Sequence, residues 1–272
     1  MWMQPNTDAG MRRSTAAVTT LGYAWVPYAV AALLLIGLSV VWAVRFRGRT
    51  TQSTWSWLAF RGAGLAVIAA AIALLADAAT EGDGLTAIDR PTWSWFVGHR
   101  GGPLTALFKV ITQTGSTLAM GSLAGVVVVV LLWRRRRADA VFLAVVAIGA
   151  GLFVSAAKPL IGRARPPMAE RLVVEANQSF PSGHALASIA IIGALAVLLR
   201  PILRATRLRV AAAVVGAVFV AAIGVSRLYL GVHWPTDVLG GWLCGAGWLL
   251  LCTTARQLRA RRWPPPAAGV PS

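Results

Sequence analysis

Long apolar runs alternate with short clusters of basic residues along most of the chain. A helix needs about 20 largely apolar residues to cross a bilayer. Seven segments approach this length, at residues 24–44, 57–77, 112–133, 139–157, 183–199, 209–226 and 238–255. The third is the clearest, because no charged residue lies between Lys109 and Arg134. In the second, Arg61 must extend its guanidinium toward water from near the helix end. The pattern predicts an all-α integral membrane protein that crosses the cell membrane several times.

Clusters of arginine predict which loops face the cytoplasm. They follow the first, third, fifth and seventh segments, at residues 45–49, 134–137, 200–209 and 256–262. Alternation of the helices places these clusters on one side of the membrane, and basic loops mark the cytoplasmic side. The N-terminus is then predicted outside, and the remaining loops are predicted to face outward, at residues 78–104, 158–182 and 226–237.

Composition favours lipid over nucleic acid as the partner. The net charge of +17 would indicate nucleic acid in a soluble protein. Here only 13% of residues are charged, about half the fraction of soluble domains, and the basic residues lie between apolar runs. Membrane lipids are therefore the predicted partners. Cys244 and Cys252 lie within one apolar segment, which predicts buried thiols and no disulfide.

The outward loop after the fourth predicted span reads KPLIGRARPP and carries Lys158, Arg163 and Arg165. Three basic residues outside run against the positive-inside trend. Two interpretations stay open for this stretch alone. The residues anchor to lipid headgroups, or they form an anion site, because the arginine guanidinium matches phosphate oxygens.

The same loop ends in PSGH, residues 181–184. Ser182 is predicted to cap a helix, and Gly183 allows a ligand to approach the backbone. A helix N-terminus presents free N–H groups that suit a phosphate. The alternative is a plain helix cap followed by a histidine in the core, but a histidine at a membrane helix end is a functional candidate.

The third outward stretch is SRLYLGVHWPTD, residues 226–237. Pro235 fits the first turn of a helix, so His233 precedes that helix and Asp237 lies in its first turn. Asp237 either balances the helix dipole or accepts a hydrogen bond from one ring nitrogen of His233, which leaves the other nitrogen free to attack. Arg227, at the end of the preceding span, faces the same point. Alternation brings all three stretches to one side of the membrane, which predicts a site that handles phosphate.

Together the three stretches resemble the active-site pattern of the type 2 phosphatidic acid phosphatases, which share it with the vanadium haloperoxidases. KPLIGRARP supplies a lysine, six residues and Arg-Pro; PSGH matches outright; SRLYLGVHWPTD supplies Ser-Arg, five residues, His, three residues and Asp. The resemblance covers about residues 85–255. It implies a six-helix core, so segment 24–44 is predicted to be an extra N-terminal transmembrane helix; the alternatives are a signal anchor or a mis-assigned start, with Met11 as another initiator. The chain then divides into an N-terminal segment 1–56, a membrane-embedded phosphatase domain 57–255 and a basic, Pro-rich cytoplasmic tail 256–272.

The resemblance implies a role for each matching residue. His233 would be the nucleophile that forms a phosphohistidine, Asp237 would orient it, and His184 would protonate the leaving group and then activate water. No cofactor or metal is implied, and the outward carboxylates are scattered. The phosphoryl oxygens would be held by side chains and helix-start amides, namely Lys158, Arg165, Arg227, Ser182 and Gly183.

The leading function is hydrolysis of the phosphomonoester or diphosphate headgroup of a lipid on the extracytoplasmic face. Candidate substrates are undecaprenyl diphosphate, phosphatidylglycerophosphate and phosphatidic acid. One alternative is a phosphotransferase that replaces water with an acceptor alcohol. Another is a binding or transport protein for lipid phosphates, which needs no nucleophile. A haloperoxidase is disfavoured because its relatives are soluble, and the oligomeric state stays open.

Four further residues are not assigned to the catalytic or phosphate-binding set. Arg163 is expected to neighbour the site, and His99, in a Trp-rich outward loop, is expected to be an interfacial residue. Gly241 and Gly245 form a small-xxx-small pattern that predicts close packing of the last helix against a neighbour.

Overall fold

The structure, a computed structural model, describes residues 54–262 of the chain. The predicted segment 24–44 and the Pro-rich end of the tail lie outside the described residues. The chain divides into two compact units, Met1–Trp57 and Leu58–Ser272. All the residues of the site described below belong to the second unit.

Residues 54–262 form eight α-helices and two 3₁₀ helices, with no strand among them. The helices are α1 (Thr54–Glu81), α2 (Asp89–Gly98), α3 (Gly102–Thr114), α4 (Thr117–Trp133), α5 (Arg137–Ile161), α6 (Gly183–Leu199), α7 (Thr206–Tyr229) and α8 (Pro235–Arg262), and the 3₁₀ helices are Gly84–Ile88 and Met168–Glu170. The predicted all-α fold is confirmed.

Four of these helices, α1, α5, α7 and α8, are long and apolar enough to cross a membrane, and α3 with α4 makes a fifth span if the bent pair is taken together. The shorter apolar helix α6 completes the six predicted for residues 57–255. Large apolar side chains such as Val67, Ile148 and Val215 are more than 60% exposed on these helices. Apolar exposure of this kind is expected where lipid replaces water as the solvent.

The predicted third span, 112–133, is wrong as a single straight helix. Helix α3 ends at Thr114, α4 begins at Thr117, and the two are bent by 46°. The helix is interrupted at Ser116, which is the N-cap of α4. Its Oγ accepts a hydrogen bond from the N–H of Ala119 at 3.1 Å. Gly115 allows the bend to approach α7, since a Cβ there would lie 2.5 Å from a methyl group of Ile223.

The predicted outward loop 78–104 is largely helical. Helix α1 continues to Glu81, and most of the remainder folds into the 3₁₀ helix Gly84–Ile88, helix α2 and the start of α3. Helix α2 contains the tryptophans of the stretch and is too short to cross a bilayer. It supplies one carboxylate, Asp89, that becomes important at the site.

Helices α6 and α8 pack closely, as the small residues of α8 predict. A Cβ on Gly241 would lie 2.5 Å from the carbonyl oxygen of Ser182, and one on Gly245 would lie 2.5 Å from that of Leu186. The start of α8 is therefore fixed against the start of α6. Cys244 and Cys252 are buried and free, which confirms the prediction for the thiols.

The opposite end of α8 is held by arginines. Arg61 Nη1 on α1 donates to the hydroxyls of Thr253 at 3.0 Å and Thr254 at 2.8 Å on α8. Arg256 donates to Asp139 Oδ1 at 2.5 Å and so joins α8 to α5. These contacts lie far from the helix ends that carry the predicted site.

Candidate active site

Four helix ends meet on one side of the molecule and bring the three predicted stretches together. Lys158 lies in the last turn of α5, Ser182 caps α6, Arg227 lies in the last turn of α7, and Asp237 lies in the first turn of α8. The N–H of Ser182 donates to the carbonyl oxygen of Asp237 at 3.0 Å, which joins the starts of α6 and α8 directly.

His233 and Asp237 form a buried pair at the centre of this region, exposed by 1% and 0%. The ring Nδ1 of His233 lies 3.3 Å from Asp237 Oδ2. The same carboxylate oxygen accepts hydrogen bonds from Ser179 Oγ at 2.5 Å and from the N–H of Trp234 at 2.8 Å. Three donors therefore converge on the oxygen that faces the imidazole.

The contacts of His233 define its protonation state. Arg165 Nη1 lies 3.1 Å from His233 Nε2, and because a guanidinium can only donate, Nε2 must be the acceptor. The proton then resides on Nδ1, toward Asp237. Burial, together with the positive charges of Arg165, Arg227 and Lys158, holds the pKa of His233 well below its usual 6.5. The imidazole is neutral at physiological pH, with the lone pair of Nε2 directed at a cationic region.

That cationic region consists of the three predicted phosphate-binding side chains. Lys158 Nζ donates to Asn177 Oδ1 at 3.1 Å and also to the carbonyl oxygen of Gln178. Arg165 Nη2 donates to the same Asn177 Oδ1 at 2.7 Å. Arg227, only 1% exposed, donates to Thr112 Oγ1 at 2.7 Å. Three buried cations within one loop-and-helix-end cluster need anions near them.

Glu175 supplies such an anion in the structure. Its carboxylate forms ion pairs with Arg227 and, at 3.6 Å, with Arg165. The outward carboxylates are scattered along the sequence, but the structure places this one on two of the predicted phosphate-binding arginines. The side chain is 23% exposed, so it reaches the cations from the solvent side. The carboxylate of Glu175 thus occupies the position at which Arg165 and Arg227 are predicted to bind phosphate.

Ser182, Gly183 and His184 begin α6 beside this cluster. Ser182 is the N-cap, as predicted, with Oγ accepting from the N–H of Ala185. Its own N–H donates to the carbonyl oxygen of Asp237, and the residue is fully buried. Gly183 retains its place at the helix start. His184 is half-buried and lies within electrostatic range of Arg227 and His233.

Arg163 and Asp89 complete the surroundings of Asp237. Arg163 donates from Nη1 to Asp237 Oδ1 at 2.6 Å and from Nη2 to Asp89 Oδ2 at 2.6 Å. Burial raises the pKa of Asp89, while hydrogen bonds from Thr236 and Arg163 act in the opposite direction. Arg163 is predicted from the sequence to neighbour the site, whereas Asp89 has no predicted role. The only signal was a helix start at Asp89-Arg-Pro, which carries no information about a partner so distant in sequence.

His99 is not among these contacts. Its ring stacks on Trp95 at 4.5 Å between centroids, and its Nδ1 lies 2.7 Å from the Trp95 carbonyl oxygen. Within the described part of the chain, no group of three His, Cys, Asp or Glu side chains could hold a metal ion.

Comparison with known proteins gives relatives of one kind. Residues 139–261 match the PAP2 superfamily. Phosphatidylglycerophosphatase B of Bacillus subtilis is 40% identical over 91 residues, which are 32% of this chain and 43% of the relative. Undecaprenyl-diphosphatase of Sulfolobus acidocaldarius is 39% identical over 70 residues, 26% of this chain and 30% of the relative. The chain thus aligns with less than half the length of either relative.

Solved structures share the fold over a larger part of the chain. The crystal structure of a transmembrane PAP2 type phosphatidylglycerolphosphate phosphatase from Bacillus subtilis has a TM-score of 0.66 and 26% identity, and covers 71% of this chain and 96% of that one. LpxE of Aquifex aeolicus has a TM-score of 0.50 and 20% identity over 63% of this chain and 95% of that one, a likeness of fold alone. The matched segment 139–261 contains all three motifs that carried the resemblance, and over this segment the chain is similar to the PAP2 superfamily.

Proposed function

We propose that the protein hydrolyses the phosphomonoester or diphosphate headgroup of a membrane lipid through a phosphohistidine on His233. One observation carries the proposal. A neutral imidazole has its proton on the side of a buried carboxylate, Asp237, and its free nitrogen on the side of Lys158, Arg165 and Arg227. A binding protein needs the cations but not the oriented nucleophile.

The reaction has two balanced steps. In the first, Nε2 of His233 attacks the terminal phosphorus, an N–P bond forms, and the bond from that phosphorus to the leaving oxygen breaks. The leaving oxygen belongs to the lipid alkoxide in a phosphomonoester and is the bridging oxygen in a diphosphate. His184, protonated when the anionic substrate binds beside it, gives its proton to the departing alkoxide or lipid phosphate. In the second, His184 takes a proton from water, whose oxygen attacks the phosphohistidine, and the N–P bond breaks to release inorganic phosphate. Asp237 stabilises the imidazolium character that develops on His233 during each transfer.

The cations stabilise the charge that spreads over the phosphoryl oxygens in both transition states. Two contacts must change when substrate binds. Arg165 breaks its contact with Nε2 of His233 and donates to a phosphoryl oxygen. The carboxylate of Glu175 breaks its ion pairs with Arg165 and Arg227. The amide of Gly183 adds a donor at the start of α6, in place of the occupied amide of Ser182.

The site is proposed to face the extracytoplasmic side, because the arginine clusters at residues 134–137, 200–209 and 256–262 lie at the opposite ends of the same helices. The relatives favour a phosphatidylglycerophosphate or a polyprenyl diphosphate as substrate, since their names carry these two activities. Phosphatidic acid remains the third candidate from the sequence.

Release of phosphate by the purified full-length protein tests the proposal. The substrates are phosphatidylglycerophosphate, undecaprenyl diphosphate and phosphatidic acid in detergent micelles, with EDTA present. We expect the wild type to release phosphate from at least one of them and His233→Ala to lose at least about 1,000-fold in kcat, as removal of a nucleophile does. His99→Ala is the matched control, because the ring of His99 stacks on Trp95 and bonds its carbonyl oxygen rather than a residue of the site, and it should keep the activity.

A second measurement addresses the intermediate. With substrate labelled at the reacting phosphorus, His184→Ala should accumulate acid-labile label on the protein, because the group that activates water is missing. The label should be absent from His233→Ala. Turnover that requires an added alcohol would establish a phosphotransferase instead, and lipid-phosphate binding without turnover, unchanged in His233→Ala, would establish a binding protein.

A further inference from the structure

We propose that Asp89 and Arg163 are positioning residues of the reaction centre, with Asp89 holding Arg163 and Arg163 holding Asp237, so that the ring of His233 stays aligned. The proposal rests on the proposed function, because it takes His233 as the nucleophile. Arg163 is one of the six intervening residues of KPLIGRARP, not a defining position of that motif, and Asp89 comes from helix α2, outside the matched segment 139–261.

The two oxygens of Asp237 have different partners. Oδ2 faces Nδ1 of His233 and accepts from Ser179 and from the N–H of Trp234. Oδ1 accepts from Arg163 Nη1 at 2.6 Å. A carboxylate held at one oxygen can still rotate, whereas one held at both oxygens by short bonds cannot. Arg163 therefore fixes the plane in which Oδ2 meets the imidazole.

Asp89 fixes Arg163 in turn and also ties down the start of α8. Its Oδ2 accepts from Arg163 Nη2 at 2.6 Å and from Thr236 Oγ1 at 2.7 Å, and its Oδ1 accepts the backbone N–H of Thr236 at 2.9 Å. A carboxylate on α2 thus satisfies an N–H in the first turn of α8, as an N-cap does from its own helix. The side chains of Asp89 and Arg163 are only 5% and 9% exposed, so water does not compete strongly for these bonds.

Helix α2 also contacts the turn that carries the nucleophile through an aromatic side chain. The rings of Trp93 and Trp234 lie 5.7 Å apart between centroids, and the guanidinium carbon of Arg163 lies 6.0 Å from the Trp234 ring. Trp234 donates from Nε1 to the carbonyl oxygen of Ala164 at 3.0 Å. The turn from His233 to Asp237 is therefore bracketed by α2 on one side and by the loop of Arg163 on the other.

Arg163 differs from Arg165, two residues later, in where its donors point. The hydrogen bonds of Arg163 go to Asp237, Thr236 and Asp89. Arg165 instead reaches His233 Nε2, where the phosphorus would be attacked. Loss of Arg165 should weaken phosphate binding, whereas loss of Arg163 should disturb the alignment of the nucleophile and leave phosphate binding intact. This difference separates positioning from binding in a kinetic experiment.

The experiment compares Arg163→Gln, Arg163→Lys, Asp89→Asn and the double variant Asp89→Asn/Arg163→Gln in the full-length protein. Arg163→Gln should lower kcat by about 10- to 100-fold, the loss usual for outer groups that orient a histidine. The KM for lipid and the inhibition constant of inorganic phosphate should stay within about threefold of wild type. Arg163→Lys should recover part of kcat, because a lysine can still reach one carboxylate. The double variant should lose less than the two single losses combined, because part of the effect of Asp89 passes through Arg163.

Arg171→Gln is the matched control, because Arg171 lies on the same loop and donates only to the carbonyl oxygen of Pro166. It should keep kcat. A rise in KM and in the phosphate constant with kcat unchanged would make Arg163 a phosphate ligand and overturn the proposal. The proposal would also be overturned if the loss of kcat matched the loss of folded protein. The same holds if the loss of kcat in the double variant equalled the two single losses combined. An active wild type with unimpaired variants refutes only the positioning role, whereas an inactive wild type refutes the proposed function itself.

Discussion

Replacement of Gly241 by alanine should separate the two helix starts that carry the reaction centre. Gly241 lies in α8 where the backbone of α6 passes closest. A Cβ at this position would lie 2.5 Å from the carbonyl oxygen of Ser182 and 2.9 Å from the Cβ of Ala185. The first of these neighbours is backbone, so it cannot rotate away as the end of a flexible side chain would.

The size of the effect follows from these distances. Carbon and oxygen need about 3.4 Å, so the helices must part by roughly 1 Å. The hydrogen bond from the N–H of Ser182 to Asp237, now 3.0 Å, would then exceed the length at which it exists. Overpacking of this kind costs about 1–3 kcal/mol of stability, and a shift of about 1 Å in a catalytic group costs about 100-fold in rate. We therefore expect kcat of Gly241→Ala to fall by about two orders of magnitude.

The assay is phosphate release in detergent, divided by the folded fraction from a thermal unfolding curve of the same sample. Gly151→Ala in α5 is the control, because a Cβ there meets nothing within 4 Å. It should leave both kcat and the unfolding temperature near the wild-type values. The reasoning would be refuted if Gly241→Ala kept kcat within about twofold of wild type, or if Gly151→Ala lost as much.

Three other substitutions or conditions test the charges at the site. Glu175→Gln should tighten inhibition by inorganic phosphate by about fivefold, because a carboxylate worth about 1 kcal/mol on Arg165 and Arg227 no longer competes; weaker inhibition would contradict this. Thr112→Val should raise KM, since Arg227 loses the hydroxyl that holds it, and an unchanged KM would show that Arg227 is held without it. The pKa of His233 is lower in the folded protein than in the unfolded chain. The folded state is therefore fully stable with respect to this group above about pH 6.5, and it loses stability as the pH falls toward the folded pKa. The contribution of His233 should lower the unfolding free energy by up to about 1.4 kcal/mol per pH unit below 6.5, and His233→Gln should make the measured slope shallower by that amount.

Much of the site could be predicted from the sequence because its residues occupy helix ends. A serine before a glycine and a proline before an aspartate mark the starts of α6 and α8 in the sequence itself. Alternation of apolar spans then places those starts on one side of the membrane. Ser182 and Asp237 meet there through a backbone hydrogen bond. The helix-start signals and the alternation of the spans were therefore enough to predict that these residues lie close together.

What the sequence could not supply are partners that depend on side-chain geometry between distant segments. Asp89 reaches Thr236 across 147 positions, and Arg227 reaches Thr112 across 115. No local pattern at Asp89 distinguishes it from an ordinary acidic residue in the first turn of a helix. The bend between α3 and α4 was missed for a related reason. Hydropathy continues through Gly115 and Ser116, and only the capping contact shows that the helix axis changes there.

The link between Asp89 and Thr236 has a consequence for how the protein is assembled. Contacts between residues so far apart form late, because the entropy of closing a long loop must be overcome before they give any stabilisation. During synthesis, Asp89 and Arg163 are both inserted well before the turn that contains His233. Recovery of hydrolysis after refolding should therefore lag behind recovery of helix content, and the lag would measure the docking of the last helix onto the rest of the bundle.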